Sequence, residues 1–534
     1  MYHNTIPTAE TSRSVSVPWT AYFPKRTDGD QLDVVALLQQ GLARGSERCV
    51  IAYEGEAVTA GQMRTRVAQV QAQLRGAGIG AGDRVAVMMS NSVEHVALIY
   101  ALILSGAVWI PVNVRLRGAG LDYIVRHSRP ALLVFDAEFE EVLASLSGVK
   151  TLRLQPGANA DAQAQEMSCN RDIRHGDPLC IIYTSGTTGA PKGVVFTHRM
   201  LRIASEAALM VAGIRDKDRA FLWEPLCHIG GAQMLMLPFL VDAQLHVVKR
   251  FSASRFWAQW RTAGATHLHY LGGVLDVLMQ LPQAGDIRVA WGAGVSVQAW
   301  GPIRARFGCE LRECYGMTEC SSFATLNASG TPGSIGAALP WIGIELLDAE
   351  SRPVPSGDIG EMVLSSDVEG VFLPAYLDNP EATASALRGG KLHTGDLARQ
   401  LPHGEYAFVG RRTDSMRVRG ENVSAWEVER VFALHPAIKT AAVVGVPAAI
   451  GEQDILMYVE FESGAAVEWG ELVAWAQPRL ADFQLPRYYA SVDRFELTPS
   501  ERIRKHLLPR DAAGAWDRTL SKSSSRSPAH VQSR

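Results

Sequence analysis

The chain has 534 residues, 47% of them hydrophobic and 20% charged, which suits a soluble globular protein of roughly two to four domains. A formal charge of −3 excludes a general attraction to nucleic acid or to an anionic membrane. Seven cysteines with no Cys-x-x-Cys pair argue against a zinc site or a disulfide framework and point to reduced thiols in a cytosol.

Residues 1–29 are polar and irregular and read as a surface arm, without the basic and apolar regions of a secretory signal. Leu32, Val35, Leu38 and Leu42 have helical spacing across Gln31–Leu42. Thr59 and Gln62 form a capping box in sequence, and the helix behind it, carrying Met63, Val67, Val70 and Leu74, is expected to stop at Gly76. Then come a strand Arg84–Met89, a helix Val93–Leu104, a strand Ala107–Val112, a helix Leu121–His127 and a strand Ala131–Phe135. The apolar run Val96–Val112 is interrupted by Ser105, Gly106 and Pro111, so it reads as a buried helix and strand, not as a membrane span. This alternation predicts right-handed βαβ units and a parallel sheet.

After Asp177 the alternation restarts, with strands expected at 179–183, 219–222, 245–248, 266–270, 287–291 and 310–314. These read as a second doubly wound layer, whose ligands should sit beyond the carboxyl ends of the strands. From Gly333 to Gly410 the strands are short and Gly and Pro recur at turns, the texture of a β-rich subdomain. Past Arg411 a separate module is expected: a helix near Ser424–Leu434, strands 438–445 and 454–462, and a helix 467–477. The resulting division is 30–410 for the large domain, 411–512 for the small one, and 513–534 for a Ser-, Arg- and Lys-rich disordered tail.

The most informative stretch is Tyr183–His198, YTSGTTGAPKGVVFTH, with apolar runs on either side. Thr184, Ser185, Thr187 and Thr188 bring hydroxyls, Gly186, Gly189 and Gly193 allow close backbone approach, and Lys192 adds a charge. Such a loop suits a polyphosphate, yet it is not a Walker loop, because Pro191 precedes Lys192 and Gly193 follows it. Several short constellations accompany it. His228 lies beside Gly230–Gly231, a pair that could leave room for a substrate. Gly292, Ala293 and Gly294 follow a strand and could let backbone approach a flat ligand. Tyr315, Thr318 and Glu319 put an aromatic face, a hydroxyl and a carboxylate together, and a carboxylate near phosphates calls for a cation such as Mg²⁺. As a fragment, Thr318 also reads as a helix N-cap. Asp396, in His393-Thr-Gly-Asp, could accept both hydroxyls of a ribose or mark a plain turn. Arg411, then Gly420, Glu421 and Asn422, fall at the expected domain boundary.

As an ordered set these motifs resemble the adenylate-forming superfamily, over residues 30–510. The combination EPLCHIGGAQ, HYLGG, ECYGMTE and RGENVSAWEVE looks most like acyl-CoA ligases of the crotonobetaine/carnitine-CoA ligase type. The resemblance implies an α/β fold: a large N-terminal domain of two doubly wound layers plus a β-rich subdomain, and a small mobile α+β C-terminal domain. It implies a carboxylic acid activated by MgATP to acyl-AMP with loss of pyrophosphate, then transfer to CoA. Thr184, Ser185, Gly186, Thr187, Thr188, Gly189 and Lys192 would hold the β- and γ-phosphates. Tyr315 would stack on adenine beside Gly292–Gly294, Thr318 would touch the α-phosphate, and Glu319 would bind Mg²⁺. Asp396 would hold the ribose with Arg411, His228 would lie near the acid, and Gly420, Glu421 and Asn422 would swing in for thiolation. The expected partners are a small carboxylic acid and CoA, with no nucleic acid and no membrane span, in the cytoplasm; a homodimer stays open. A loader of a carrier protein and a non-catalytic nucleotide-binding homologue also stay open.

Three positions depart from the family pattern. Thr413 stands at the hinge where Asp or Lys is usual. Arg502 stands at the place of the C-terminal catalytic lysine, with Lys505 as the competing position. Ala375-Tyr376 replaces Gly-Tyr, a change to which the sequence attaches no consequence. Trp223, Tyr270 and Gly230–Gly231 are expected to line the acid pocket, which is read as suiting a short or medium acid.

Overall fold

The computed structural model describes residues 33–520, apart from 117, 145, 147, 155–165, 185–190, 413–414, 419–420, 449–452, 466, 481 and 498–502. The N-terminal arm 1–29 and residues 521–534 of the tail lie outside the described residues.

Among the described residues, two large sheets form the body of the N-terminal domain. One has six strands in the order Thr151–Arg153, Leu132–Phe135, Arg84–Met88, Val108–Pro111, Pro178–Thr184, Lys192–Thr197. The other has seven, in the order Glu310–Glu313, Val289–Ala293, His267–Leu271, Arg219–Leu222, Gln244–Val247, Cys49–Tyr53, Glu56–Thr59. Neighbouring strands run parallel except at one edge of each sheet, where a hairpin turns antiparallel. Strands such as Val108–Pro111 and Leu132–Phe135 are buried at every residue, which is why they read as unbroken apolar runs.

The sequence order of the strands is misleading about the sheets. Pro178–Thr184 belongs to the first sheet, not to the second layer expected from residue 179 onward, and it pairs antiparallel with Lys192–Thr197. The hairpin Cys49–Thr59, unassigned from sequence, supplies two strands of the second sheet instead. Alternation reports local βα units, but it carries no information about which sheet a unit joins.

Local signals held where their chemistry is local. Thr59 and Gln62 make the reciprocal capping box, and the helix runs Ala60–Gly76. Its stop is Gly78, not Gly76: Gly78 takes a φ of +83°, and Ile79 N–H then returns to Leu74 C=O. The helix Val93–Ser105 starts on Ser92, which accepts from His95 N–H at 3.0 Å, and ends at left-handed Gly106. Its residues from Val93 to Leu104 are buried except Glu94, so its apolar run is explained by packing, as expected. No helix among the described residues is long and apolar enough to cross a membrane.

The β-rich part is a five-stranded antiparallel sheet in which Lys391–Gln400 pairs with both Ile359–Ser365 and Tyr406–Arg411. The smaller C-terminal α+β domain has its own core, including Met416, Val423, Phe432, Val443, Met457 and Tyr489. It packs helices Ala425–Phe432 and Trp469–Ala476 with a four-stranded sheet. That sheet corrects the expected start of the tail: Trp516–Asp517 is its last strand, pinned to Tyr488–Ser491 by pairing and by Arg487 ion pairs to Asp517 and Asp454 at 3.1 and 2.9 Å. Trp516 also packs on Tyr489, an aromatic contact that adds to the pairing of this last strand.

Candidate active site

Thr184 and Lys192 face each other across the hairpin of the first sheet. Ser185, Gly186, Thr187, Thr188 and Gly189 lie outside the described residues. The segment after Lys192 is zipped to a distant one: Val195 N–H donates to Ala375 C=O at 3.0 Å and Leu377 N–H to Gly193 C=O at 2.7 Å. This places the Tyr376 ring 5.2 Å from Lys192 Nζ. Tyr376 O–H in turn donates to Glu319 Oε1 at 2.8 Å. Glu319 is 6% exposed and sits on the single turn Thr318–Cys320. Burial pushes its carboxyl above the usual carboxylate range, and the Tyr376 hydrogen bond pulls it back. Thr318 is buried and opens this turn, but Met317 holds the N-cap position, so the capping alternative is not what is found.

Tyr315 follows the strand Glu310–Glu313 and its O–H donates to Asp396 Oδ2 at 2.6 Å. Asp396 is 2% exposed, and Arg411, its cross-strand partner, pairs with Oδ1 at 2.9 Å. The turn before Asp396 is fixed on both sides. Thr394 Oγ accepts Asp396 N–H at 3.0 Å and donates to Met362 C=O at 2.7 Å, while Gly395 N–H donates to Glu361 at 3.1 Å. Arg411 and Asp396 both act electrostatically on Glu319, so the two carboxylate groups belong to one site.

Gly292, Ala293 and Gly294 end the strand Val289–Ala293, with Ala293 and Gly294 exposed. Gly292 is obligatory by contact, since a Cβ there would lie 1.9 Å from Tyr270 C=O; Gly294 is held at φ +104°. Glu313, a residue to which sequence reading gave no role, shapes this turn. Its carboxylate accepts from Gly294 N–H, from Val295 N–H at 3.3 Å and from Tyr270 O–H at 2.7 Å. Burial raises its carboxyl and these donors oppose the rise.

His228 lies on the opposite side, at the start of the short helix Ile229–Ala232, with its Nε2 3.4 Å from Asn113 Nδ2 of the first sheet's loop. Buried Asn91 fastens the preceding loop. It donates to Glu224 C=O at 2.7 Å and to Val248 C=O at 3.3 Å, and it accepts Leu226 N–H at 3.1 Å. The glycine pair does not leave room for a substrate as expected. A Cβ on Gly230 would lie 2.8 Å from the Glu224 carboxylate, and one on Gly231 2.7 Å from Pro225 C=O, so both glycines admit the loop itself. Trp223 and Tyr270 also turn away from the expected pocket, into an aromatic core with Phe256 and Trp260, because strand alternation sends them to the other face. Their neighbour His269 faces inward and bonds Glu224 through Nδ1.

Thr413, Gly420 and Arg502 lie outside the described residues. Glu421 and Asn422 are described in backbone only, in the strand Glu421–Ser424 paired with Ser415–Val418. Lys505 Nζ is 2.7 Å from Glu429 within the C-terminal domain.

Two sheets, a β-rich subdomain and a small α+β domain, with paired carboxylates and cations at strand ends, define an adenylate-forming enzyme. The chain belongs to the AMP-binding enzyme family: residues 38–373 match the AMP-binding enzyme and 427–502 the AMP-binding enzyme C-terminal domain. Among curated proteins it is similar to the crotonobetaine/carnitine–CoA ligase of Salmonella paratyphi A, at 30% identity over 439 residues, covering 77% of this chain and 85% of that protein. Among solved structures it is similar to O-succinylbenzoate coenzyme A synthetase from Bacillus subtilis in complex with AMP, with a TM-score of 0.81, 24% identity, and coverage of 88% and 97% of the two chains. ATP-bound MatB from Rhodopseudomonas palustris gives a TM-score of 0.80, 24% identity, and coverage of 88% and 97%.

Proposed function

We propose that this chain is an acid–thiol ligase that activates a carboxylic acid with MgATP to acyl-AMP and passes the acyl group to CoA. The carrying observation is one shell holding two buried carboxylates of different surroundings: Glu319 behind Tyr376 and Lys192, and Asp396 between Tyr315 and Arg411. Relatives named as CoA ligases support the choice of acceptor.

Each residue then has a task. Asp396, whose two oxygens keep further lone pairs, would accept the ribose hydroxyls, with Arg411 balancing its charge. The Tyr315 ring and the exposed Ala293–Gly294 backbone would flank adenine. The loop Thr184, Ser185, Gly186, Thr187, Thr188, Gly189, with Lys192, would hold the departing phosphates. Thr318 would meet the α-phosphate. The buried Glu319 carboxylate accepts from Tyr376 O–H and from its own backbone N–H and keeps further lone pairs, which fits a hard divalent ion held by one carboxylate plus phosphate oxygens. When bound there, Mg²⁺ would neutralise phosphate charge. His228, steadied by Asn113, would orient the acid.

The acid is already ionised at neutral pH, so no general base is needed for the first step. A carboxylate oxygen attacks the α-phosphorus, the bond to the bridging oxygen breaks, and pyrophosphate leaves with the electron pair. The site lowers the barrier by screening repulsion between two anions and by stabilising charge on the phosphorus oxygens. In the second step the thiol gives its proton to solvent, sulfur attacks the acyl carbon, and the acyl C–O bond to phosphate breaks as AMP leaves with the electron pair. Gly420, Glu421 and Asn422 would serve this step, and Arg502 would bring a cation to the first. Lys505 is the weaker candidate because its ion pair with Glu429 occupies it within its own domain.

The test is acid-dependent pyrophosphate release over a broad panel, followed by a choice of acceptor. ATP binding without acid-dependent release would overturn the ligase reading. Loading of a phosphopantetheinylated carrier with inert CoA would overturn only the acceptor.

A further inference from the structure

We propose that the acid taken by this site carries a hydroxyl group, and that the buried pair Glu224–His269 is the subsite that reads it. The inference rests on the adenylation reading above and names its substrate class.

Glu224 and His269 come from two elements that meet at the site. Glu224 belongs to the loop leading to His228, and His269 lies on the strand His267–Leu271. Their side chains are 4% and 7% exposed and joined through His269 Nδ1 and Glu224 Oε2. An ionised carboxylate can only accept, so opposite it Nδ1 carries the proton. Nε2 is then the outward atom of the pair, and no described residue bonds to it. Although the residue is buried, Nε2 is not one of the fully enclosed unpartnered atoms, so it keeps an opening through which a partner from outside the chain can reach it.

The position of the pair ties it to the substrate. Glu224 packs against Gly230, two residues from His228. The His269 ring lies 4.1 Å from that of Trp291, the residue before Gly292. The imidazole therefore stands between the loop that carries His228 and the strand that ends in the glycine turn. Phe323 closes on both rings, at 6.1 Å from His269 and 5.5 Å from Trp291, so the wall around the imidazole is otherwise aromatic.

The chemistry of Nε2 selects the substituent. A neutral imidazole offers a lone pair there, and an imidazolium offers an N–H. A hydroxyl donates to the first and accepts from the second, so it serves the pair in either state. A quaternary ammonium has neither a proton to give nor a lone pair. An alkyl chain would leave Nε2 buried and unpaired, which is how a site built for a hydroxyl rejects its plain analogue.

Pyrophosphate release by the full chain is to be measured with matched acids: butyrate against 3- and 4-hydroxybutyrate, benzoate against 3- and 4-hydroxybenzoate, and 4-trimethylammoniobutyrate. A hydroxylated acid should exceed its plain partner by about tenfold or more in kcat/KM, the scale of a hydrogen bond in a buried site. His269→Phe keeps a ring and removes Nε2 together with the Nδ1 that pairs with Glu224. It should abolish the preference, with the KM of the hydroxy acid rising by about tenfold more than that of its plain partner. Glu224→Gln keeps an acceptor for Nδ1–H and the packing against Gly230, so it should retain the preference and serves as the second variant, with ATP binding of each variant as the check on folding. Equal or better use of plain acids, or a hydroxyl preference that survives in folded His269→Phe, would overturn this inference and leave the ligase reading standing. No release with any acid would overturn both.

Discussion

Tyr376→Phe removes one oxygen and isolates one hydrogen bond. The ring remains, so the contact with Lys192, 5.2 Å away, is retained. What disappears is the 2.8 Å bond to Glu319 Oε1. Glu319 is 6% exposed, so water does not readily replace the lost donor. Hydrogen bonds to charged groups contribute about 1.5–3 kcal/mol, which is a factor of about ten to a hundred in an equilibrium that needs the carboxylate ionised. If Glu319 holds Mg²⁺, the Mg²⁺ concentration for half-maximal pyrophosphate release should rise by about tenfold or more, since proton and metal compete for the same oxygens. The assay is a Mg²⁺ titration at saturating ATP and acid, with the KM for acid as the internal control. A variant with unchanged Mg²⁺ half-saturation would refute either the metal role of Glu319 or the support given by Tyr376. A parallel rise in the KM for acid would point instead to general disruption.

Asp396→Asn removes the charge paired with Arg411 and should raise the KM for ATP by about tenfold or more, with the KM for acid little changed, in an ATP titration. Asn91→Ala leaves Leu226 N–H and Glu224 C=O unpaired in a buried loop and should lower stability by about 2–3 kcal/mol in urea unfolding. Burial pushes the imidazole of His95 down to about 4, so this residue is neutral when folded and gains a proton on unfolding between pH 6.5 and about 4. Its contribution is full above that window and is lost as pH falls through it. His95→Gln should therefore flatten the rise of stability with pH by about 1.4 kcal/mol per unit inside the window, read from urea midpoints at several pH values. Arg502→Ala should slow acyl-AMP formation far more than thiolation from supplied acyl-AMP, whereas Lys505→Ala should lower stability and spare both half-reactions; equal loss of both halves in Arg502→Ala would sink its assigned role.

Much of the fold was legible because its signals are short-range. The capping box at Thr59, the buried helix after Ser92 and the strand Arg219–Leu222 depend on neighbours within a few residues. Sheet membership was not legible. Cys49–Tyr53 pairs with Gln244–Val247 almost two hundred residues away, and nothing in either stretch specifies the other. The candidate site divides in the same way. Tyr315 and Glu319 stood out because a ring, a hydroxyl and a carboxylate cluster after an expected strand, and Asp396 because it ends the short motif His393-Thr-Gly-Asp. Tyr376 did not, because its task is set by a bridge between Val194 and Tyr376 that only the fold creates. Glu313 was hidden for a different reason: a lone glutamate at a strand end is an ordinary surface residue until three donors converge on it. The glycines beside His228 were misread because sequence cannot tell space left for a ligand from space filled by the preceding loop.

A chain of ring contacts links the nucleotide side of the site to the small domain. Tyr315 stacks on Phe408 at 6.3 Å and 27°, and Phe408 meets Trp426 edge-on at 5.6 Å. Arg430, one turn further along the same helix as Trp426, lies 4.8 Å over its ring. The Arg430 charge also acts on Glu313, the carboxylate that holds the Gly294 turn. The C-terminal helix thus contributes an aromatic edge and a cation to the flank of the expected adenine position. A rotation of this domain of the kind the family resemblance implies would act on both contacts, since Trp426 and Arg430 share one helix. Glu313 would lose its nearby cation in the same movement that uncovers Phe408. Its remaining donors, Gly294, Val295 and Tyr270, all belong to the large domain. The described hydrogen bonds that shape the turn are therefore independent of the small domain.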